Sequence, residues 1–367
     1  MTAKQYLIHC VSCALHGRKA ILSDDIRLDS FYALCEKHHV APMVYDALEG
    51  VASAAQLHPF EQSRNKAIAR TAIQQNESAL LSGIFQTQGI KAVHFKGDNI
   101  SRLYPSPEMR VSSDIDFLID AKQRDNVKAV MEQQGYQTMH FKDSDVDVYY
   151  KLPVLNVEIH TCLFEDHGFN GYFDDYLKRA VMCGEGFRFS QADFYIYAVA
   201  HFYKHYNASG CGIRFLIDHY LLGRAVADAD LQVNDELEKI GLLDFKMKMD
   251  TIAQKWFADV YAPAAMDDFE GYILASGIYG TTEGNIQNKK AKLTKKYGKR
   301  SAAFIYCLKR LFPTYRQLCT PFPVLRRYPF LLPFVWIFRW GKGLTKIKKI
   351  AHEIKLLLKK EKYQKDI

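Results

Sequence analysis

Asp114-Ile115-Asp116 opens the short run DIDFLI, a pattern in this chain suited to holding a divalent cation. Side chains alternate across a β-strand, so the two aspartates share one face while Ile115 and Phe117 point to the other. Two like charges about 7 Å apart on one face repel, and a structural core gains nothing from them. A cation bound between them turns that liability into a site. Glu158, flanked by Val157 and Ile159 in VLNVEIHTCL, offers a third carboxylate, and an unpartnered acid inside a strand is costly to bury. If the two strands are neighbours, Asp114, Asp116 and Glu158 converge as catalytic and metal-binding carboxylates. They could then hold two Mg²⁺ ions, or Mn²⁺, for in-line phosphoryl transfer, one ion activating the attacking oxygen and the other stabilising the leaving pyrophosphate. An isolated DxD arises often by chance, so its surroundings decide.

Those surroundings are favourable. IKAVHF (90–95) reads as a strand, and Lys96-Gly97-Asp98 comes next as a turn into a short helical segment. A glycine there lets backbone amides approach a phosphate; Lys96 supplies a point charge and Arg110 a forked donor. His160 shares a face with Glu158 and joins Lys96, Gly97, Asp98 and Arg110 as a nucleotide-binding candidate. His201 and His205 lie four apart on a helical pattern, with Arg214 and Asp218 also at i,i+4 further on. His201, His205 and Arg214 are candidates for substrate contacts, against a plainer reading in which the histidines pack and Arg214 pairs with Asp218. Cys10 and Cys13 beside His9 form a CxxC without a second ligand pair, which an amphipathic helix explains as well as a metal site.

The run FKGDNISRLYPSPEMRVSSDIDFLID, with NVEIHTCLF after it, resembles the uncharacterised nucleotidyltransferase family of the polymerase-beta-like superfamily. Members carry LKG, a helix ending in LYP, an Arg, a DIDLLV strand and a later EIH strand. Lys96-Gly97, Leu103-Tyr104-Pro105, Arg110, Asp114-Ile115-Asp116 and Glu158-Ile159-His160 match in order. The superfamily's commoner Gly-Ser is here Gly97-Asp98, whose acidic second residue would repel a triphosphate. The resemblance covers about residues 30–280 and is strongest over 90–165. It implies transfer of a nucleoside monophosphate from an NTP, with ATP expected, to an unidentified acceptor. The alternative is a non-catalytic nucleotide-binding or membrane- or RNA-associated module with the same fold.

The elements that must position these residues read as an α+β fold, a small mixed β-sheet core flanked by helical regions on both sides. Residues 1–88 read as helical, 89–165 as the core and 166–280 as a helical substrate or lid region. In the remainder, 281–367, the stretch 280–300 reads as a polar, mobile linker and the segment after it as a basic amphipathic tail. The strands expected in the core are IKAVHF, SDIDFLID, YQTMHF, VDVYYKL and VLNVEIHTCLF, with a helix over 121–135. Eight cysteines in a chain of this size, and no uninterrupted apolar stretch at the start, read as a reduced cytoplasmic protein without a signal peptide. The net charge of +8 divides unevenly: residues 289–367 hold 22 Lys/Arg against three acids, leaving 27 basic against 38 acidic residues before them. Such a tail suits an anionic partner, and nucleic acid is the weaker choice because no RNA-binding motif accompanies it. The uncharged run from Tyr328 to Phe338 is 11 residues with two prolines, too short to span a bilayer. Ile347, Ile350, Ile354, Leu357 and Leu358 recur at helical spacing among lysines, a pattern suited to peripheral contact of residues 320–367 with the inner membrane face, against a plainer reading in which the helix packs on the body with its lysines in water.

Overall fold

The computed structural model describes all residues except 185, 259–260, 262, 320, 323, 345–354 and 357–367. No side chain is described at 98, 166, 229–231, 295–296, 299–300, 316 and 343–344. The chain divides into two compact units, residues 1–203 with 213–265, and residues 204–212 with 266–366.

Four helices open the first unit: α1 (Ala3–Leu15), α2 (Leu28–His38), α3 (Ala41–Leu48) and the 34-residue α4 (Ala54–Thr87). Thr2 and Gln5 cap α1 reciprocally, and Ser53 and Gln56 do the same for α4. Pro59 lies inside α4, where it cannot donate to the Ala55 carbonyl one turn before it. Next come β1 (Val93–His94), α5 (Gly97–Ser101), β2 (Ile115–Leu118), α6 (Arg124–Gln133), β3 (Gln137–His140), β4 (Val146–Lys151) and β5 (Leu155–His160). After these are α7 (Tyr176–Arg179), β6 (Val181–Cys183), β7 (Gly186–Arg188), α8 (Gln191–Ala208), α9 (Ile213–Ala225), α10 (Asp230–Lys239) and α11 (Leu243–Phe257).

The strands form one seven-stranded mixed sheet in the order β3-β4-β5-β2-β1-β7-β6. β2 runs parallel to β5 and antiparallel to β1, so the DxD strand is central. Alternation dictates the rest. Ile115, Phe117, Val157 and Ile159 face a core closed by Leu81 and Phe85 of α4 and by Val127, Val130 and Met131 of α6. The Phe85 and Phe117 rings meet edge to face at 5.4 Å. The polar residues between them take the opposite face. The α+β architecture and the helical N-terminus agree with expectation.

Two features depart from the sequence reading. β6 and β7 lie in the stretch read as helical, and β7 extends the sheet by pairing with β1 through Val93 and Phe187. Three-residue strands are too short to show a period. In the second unit, the stretch read as a mobile linker is instead α13 (Thr282–Tyr297), preceded by α12 (Asp268–Ser276). Thr281 Oγ1 accepts from the Gly284 N–H at 2.9 Å, capping α13, and Ile286 and Leu293 bury one stripe. Asn288 donates to Tyr206 O, Ala208 O and the Tyr272 hydroxyl, all within 3.0 Å. A polar helix with a narrow apolar stripe resembles a linker in composition alone. The unit continues with α14 (Lys299–Leu311), α15 (Tyr315–Cys319), α16 (Val324–Arg327) and α17 (Leu332–Leu344). The basic amphipathic segment containing Ile347, Ile350, Ile354, Leu357 and Leu358 lies outside the described residues.

Cys10 and Cys13 pack on α1, and burial pushes both thiols up. His39 ends α2 in the left-handed conformation, φ 56°, where a non-glycine residue is uncommon. Burial, with Arg214 and Arg70 nearby, lowers its pKa to about 4. The unfolded imidazole titrates near 6.5, so the unfolded chain takes up this proton first as pH falls. His39 therefore contributes stability that is present above about pH 6.5 and lost as pH falls through 4. The expected loss is on the order of 1–3 kcal/mol. His39→Asn, which tolerates the same backbone, should flatten this part of the profile in urea melts at pH 7 and pH 4.5. An unchanged slope would show that His39 is not the group responsible.

Candidate active site

The parallel register sets Asp116 beside Glu158 and Leu118 beside His160, putting three polar side chains on one face of β2 and β5. His160 Nε2 lies 2.9 Å from Asp116 Oδ1 and 3.6 Å from Glu158 Oε2. Lys96 Nζ donates to the same Asp116 oxygen at 2.6 Å. Lys96 reaches it because the turn after β1 holds Lys96 at φ 72° and Gly97 at φ 20°. A lysine in the left-handed region carries strain, which the ion pair offsets. Asp114, one residue before β2, accepts from Ser112 Oγ at 3.3 Å.

Asp116 is only 2% exposed. Burial opposes its charge, but Lys96 and the hydrogen bond from His160 outweigh it and hold the carboxyl well below the usual range. Lys96 is raised in turn: burial opposes its charge too, and Asp116 prevails. For His160, burial is outweighed by hydrogen bonds to Asp116 and Glu158, and its pKa rises. Asp114 behaves oppositely. Burial and then the Asp116 charge push it up to about 6, with Lys96 partly offsetting and Glu158 adding. The face is thus a cluster of negative charge that one lysine and one imidazole neutralise in part.

Arg110 is placed differently from a free phosphate donor. Its Nε and Nη2 close on the two oxygens of Asp218 at 2.9 and 3.0 Å, and Nη1 donates to the Gly97 carbonyl at 3.3 Å. The Tyr104 hydroxyl donates to Asp218 Oδ1 at 2.6 Å. Arg110 is therefore a buried strut between α9 and the Lys96-Gly97 turn. This also revises the simple i,i+4 pairing of Arg214 with Asp218: both Asp218 oxygens are engaged by Arg110, while Arg214 Nη1 donates to the Val111 carbonyl.

His201 stacks on Tyr197 with centroids 5.5 Å apart; Tyr197 meets Phe95 at 5.4 Å, and Phe95 meets His160 at 5.3 Å. A row of rings thus links His201 to the carboxylate face. His205 belongs to the second unit. The Asp98 side chain lies outside those described. Sequence reasoning did not single out Tyr197, whose signal is a tyrosine four residues before His201 on the same helical face. It also passed over Ser112, two residues before Asp114.

Among the described residues, Asp116, Glu158 and His160 form the group whose ligand atoms lie within 4.8 Å of one another. Imidazole thus joins the expected carboxylates, and Asp114 is not one of this set. Two carboxylates and an imidazole suit a first-row divalent ion, and an added Asp114 oxygen would favour Mg²⁺. The donor set fits a divalent cation.

The description "uncharacterised nucleotidyltransferase" belongs to a family whose model matches residues 24–258. That is well over half of the chain and includes all seven strands. The chain belongs to this family, with a nucleoside triphosphate the implied donor. No curated protein matches it.

Proposed function

We propose that the first unit is a divalent-metal-dependent nucleotidyltransferase moving a nucleoside monophosphate from an NTP, with ATP the expected donor, to an unidentified acceptor. The observation that carries this reading is the pairing of Asp116 with Glu158 across β2 and β5, with Asp114 and His160 alongside. Asp116, Glu158 and Asp114 would hold Mg²⁺ or Mn²⁺, which supplies charge neutralisation at the transferring phosphate and lowers the pKa of a bound oxygen. Lys96, already at Asp116, would present its ammonium to the triphosphate without crossing the site. Arg110 keeps the Gly97 carbonyl and hence the Lys96 turn in place. His160 would hold a proton against the carboxylates and release it as a cation enters.

Labelled ATP, CTP, GTP and UTP with Mg²⁺ or Mn²⁺, monitored for pyrophosphate release and label transfer, test the reading. Turnover should vanish in Asp114→Ala/Asp116→Ala. Turnover unaffected by that double change would sink the assignment. Nucleotide binding without turnover would favour the non-catalytic alternative.

A second property concerns the second unit. No helix among the described residues is long and apolar enough to cross a membrane. Yet α14 and α17 expose Phe304, Phe334, Ile337 and Phe338, each more than half accessible, with Lys309, Arg310 and Lys342 also exposed. Aromatics beside cations match the chemistry of an anionic lipid surface. The full chain should float with vesicles rich in phosphatidylglycerol and not with neutral ones, and Phe334→Ser/Phe338→Ser should reduce flotation at least severalfold. Equal flotation of both proteins would remove the membrane reading.

A further inference from the structure

A cavity of about 520 Å³ lies in the first unit, apart from the carboxylate group. That volume accommodates a small organic molecule. Its wall is built by α4, by the C-terminal end of α2, by Pro42 at the start of α3, and by Val111 and Val154. Pro42, Ala67, Val111 and Val154 make an apolar side. Lys66 and Arg70, four apart on α4, make a cationic edge, and neither forms a hydrogen bond or ion pair with a described residue. Like charges at i,i+4 repel on a helix, so nothing in the fold itself rewards this pair.

Arg214 extends the positive character inward, and its effect is felt at His39. Arg214 donates through Nη1 to the carbonyl of Val111, a wall residue, while its buried Nε has no hydrogen-bond partner. His39, also on the wall, is kept neutral by burial, then by Arg214 and Arg70. The acid on the wall, Glu36, accepts from Ser63 Oγ at 2.8 Å. Cations at one edge and an apolar side describe a molecule with one anionic end and a compact body, held away from Glu36.

We propose that this cavity binds a small organic anion, a phosphate monoester or a carboxylate, with its charged group between Lys66 and Arg70 and its body against Ala67, Val111 and Val154. Val111 precedes Asp114 by three residues, roughly 10 Å of extended chain at most. Any role of an occupant as the acceptor rests on the proposed nucleotidyl transfer. The binding site itself does not depend on that: it stands on the cavity and its charges, and survives if no nucleotide is transferred.

Calorimetric titration of the full-length protein without nucleotide tests it, using glucose 6-phosphate, citrate, inorganic phosphate and uncharged glucose as probes. At least one organic anion should bind at millimolar concentration or better, and glucose should not. Lys66→Ala/Arg70→Ala should weaken that binding roughly tenfold or more. Ala69→Phe, which narrows the cavity while keeping both cations, should do the same. Both variants alter accessible positions and should keep the wild-type thermal midpoint. Absence of binding by both organic anions, or wild-type affinity in both variants, would overturn the proposal. Inorganic phosphate binding as tightly as either organic anion would overturn its organic part.

Discussion

Asparagine in place of Asp116 is expected to lower nucleotidyl transfer by roughly 10³-fold or more while leaving the chain folded. The side chain is 2% exposed and receives both Lys96 and His160 on one oxygen. Asparagine keeps the shape, the packing and one acceptor oxygen, so β2 retains its register with β5. What it removes is the charge that a divalent cation requires, together with the counter-charge of Lys96. The folded state should lose on the order of 1–3 kcal/mol, because Lys96 is partly accessible and water can relieve it. Lys96→Met separates the two effects. It removes the competing ammonium at Asp116 but leaves the carboxylates, so metal affinity should be kept or rise while NTP affinity falls. Pyrophosphate release titrated separately with Mg²⁺ or Mn²⁺ and with NTP, beside circular dichroism melts, gives these readings. If Asp116→Asn kept more than about a tenth of the activity, Asp116 would have no place in the chemistry.

The carboxylate face was readable because strand alternation is strict: Ile115 and Phe117 in the core require Asp114 and Asp116 outside it, and the same holds for Val157, Ile159, Glu158 and His160. Whether β2 and β5 were neighbours was a condition, since no local signal fixes which strands pair. Lys96 was identified as a useful cation, but its contact with Asp116 depends on two positive φ angles that residue types alone do not specify. Arg110 looked like a phosphate ligand because its partner lies 108 residues away. Arg214 and Asp218 looked like a pair because helical spacing brings them together, and the buried Arg110 fork competes successfully for the same carboxylate. Local periodicity thus told which face each side chain takes. It did not tell which distant group meets it there.

That long-range clamp carries the other large expected effect. Asp218→Ala should destabilise the protein by about 3–5 kcal/mol, the usual result of removing one partner from a buried ion pair. Arg110 is 8% exposed, and without Asp218 its guanidinium has only the Gly97 carbonyl as acceptor in this network. The Tyr104 hydroxyl loses the acceptor it meets at 2.6 Å, and Arg214 is left beside a second uncompensated cation. Asp218→Asn should cost about half as much, because one oxygen still accepts while the charge is gone. Urea unfolding with an unchanged m-value measures the loss directly. Arg110→Met/Asp218→Leu should recover part of the stability, since an apolar pair removes both buried charges together. It should not recover activity, because nothing would then hold the Gly97 carbonyl and the Lys96 turn would loosen. Restored stability with restored turnover would show that the strut is dispensable to the site; a cost below about 1 kcal/mol for Asp218→Ala would show that it does not hold the fold either.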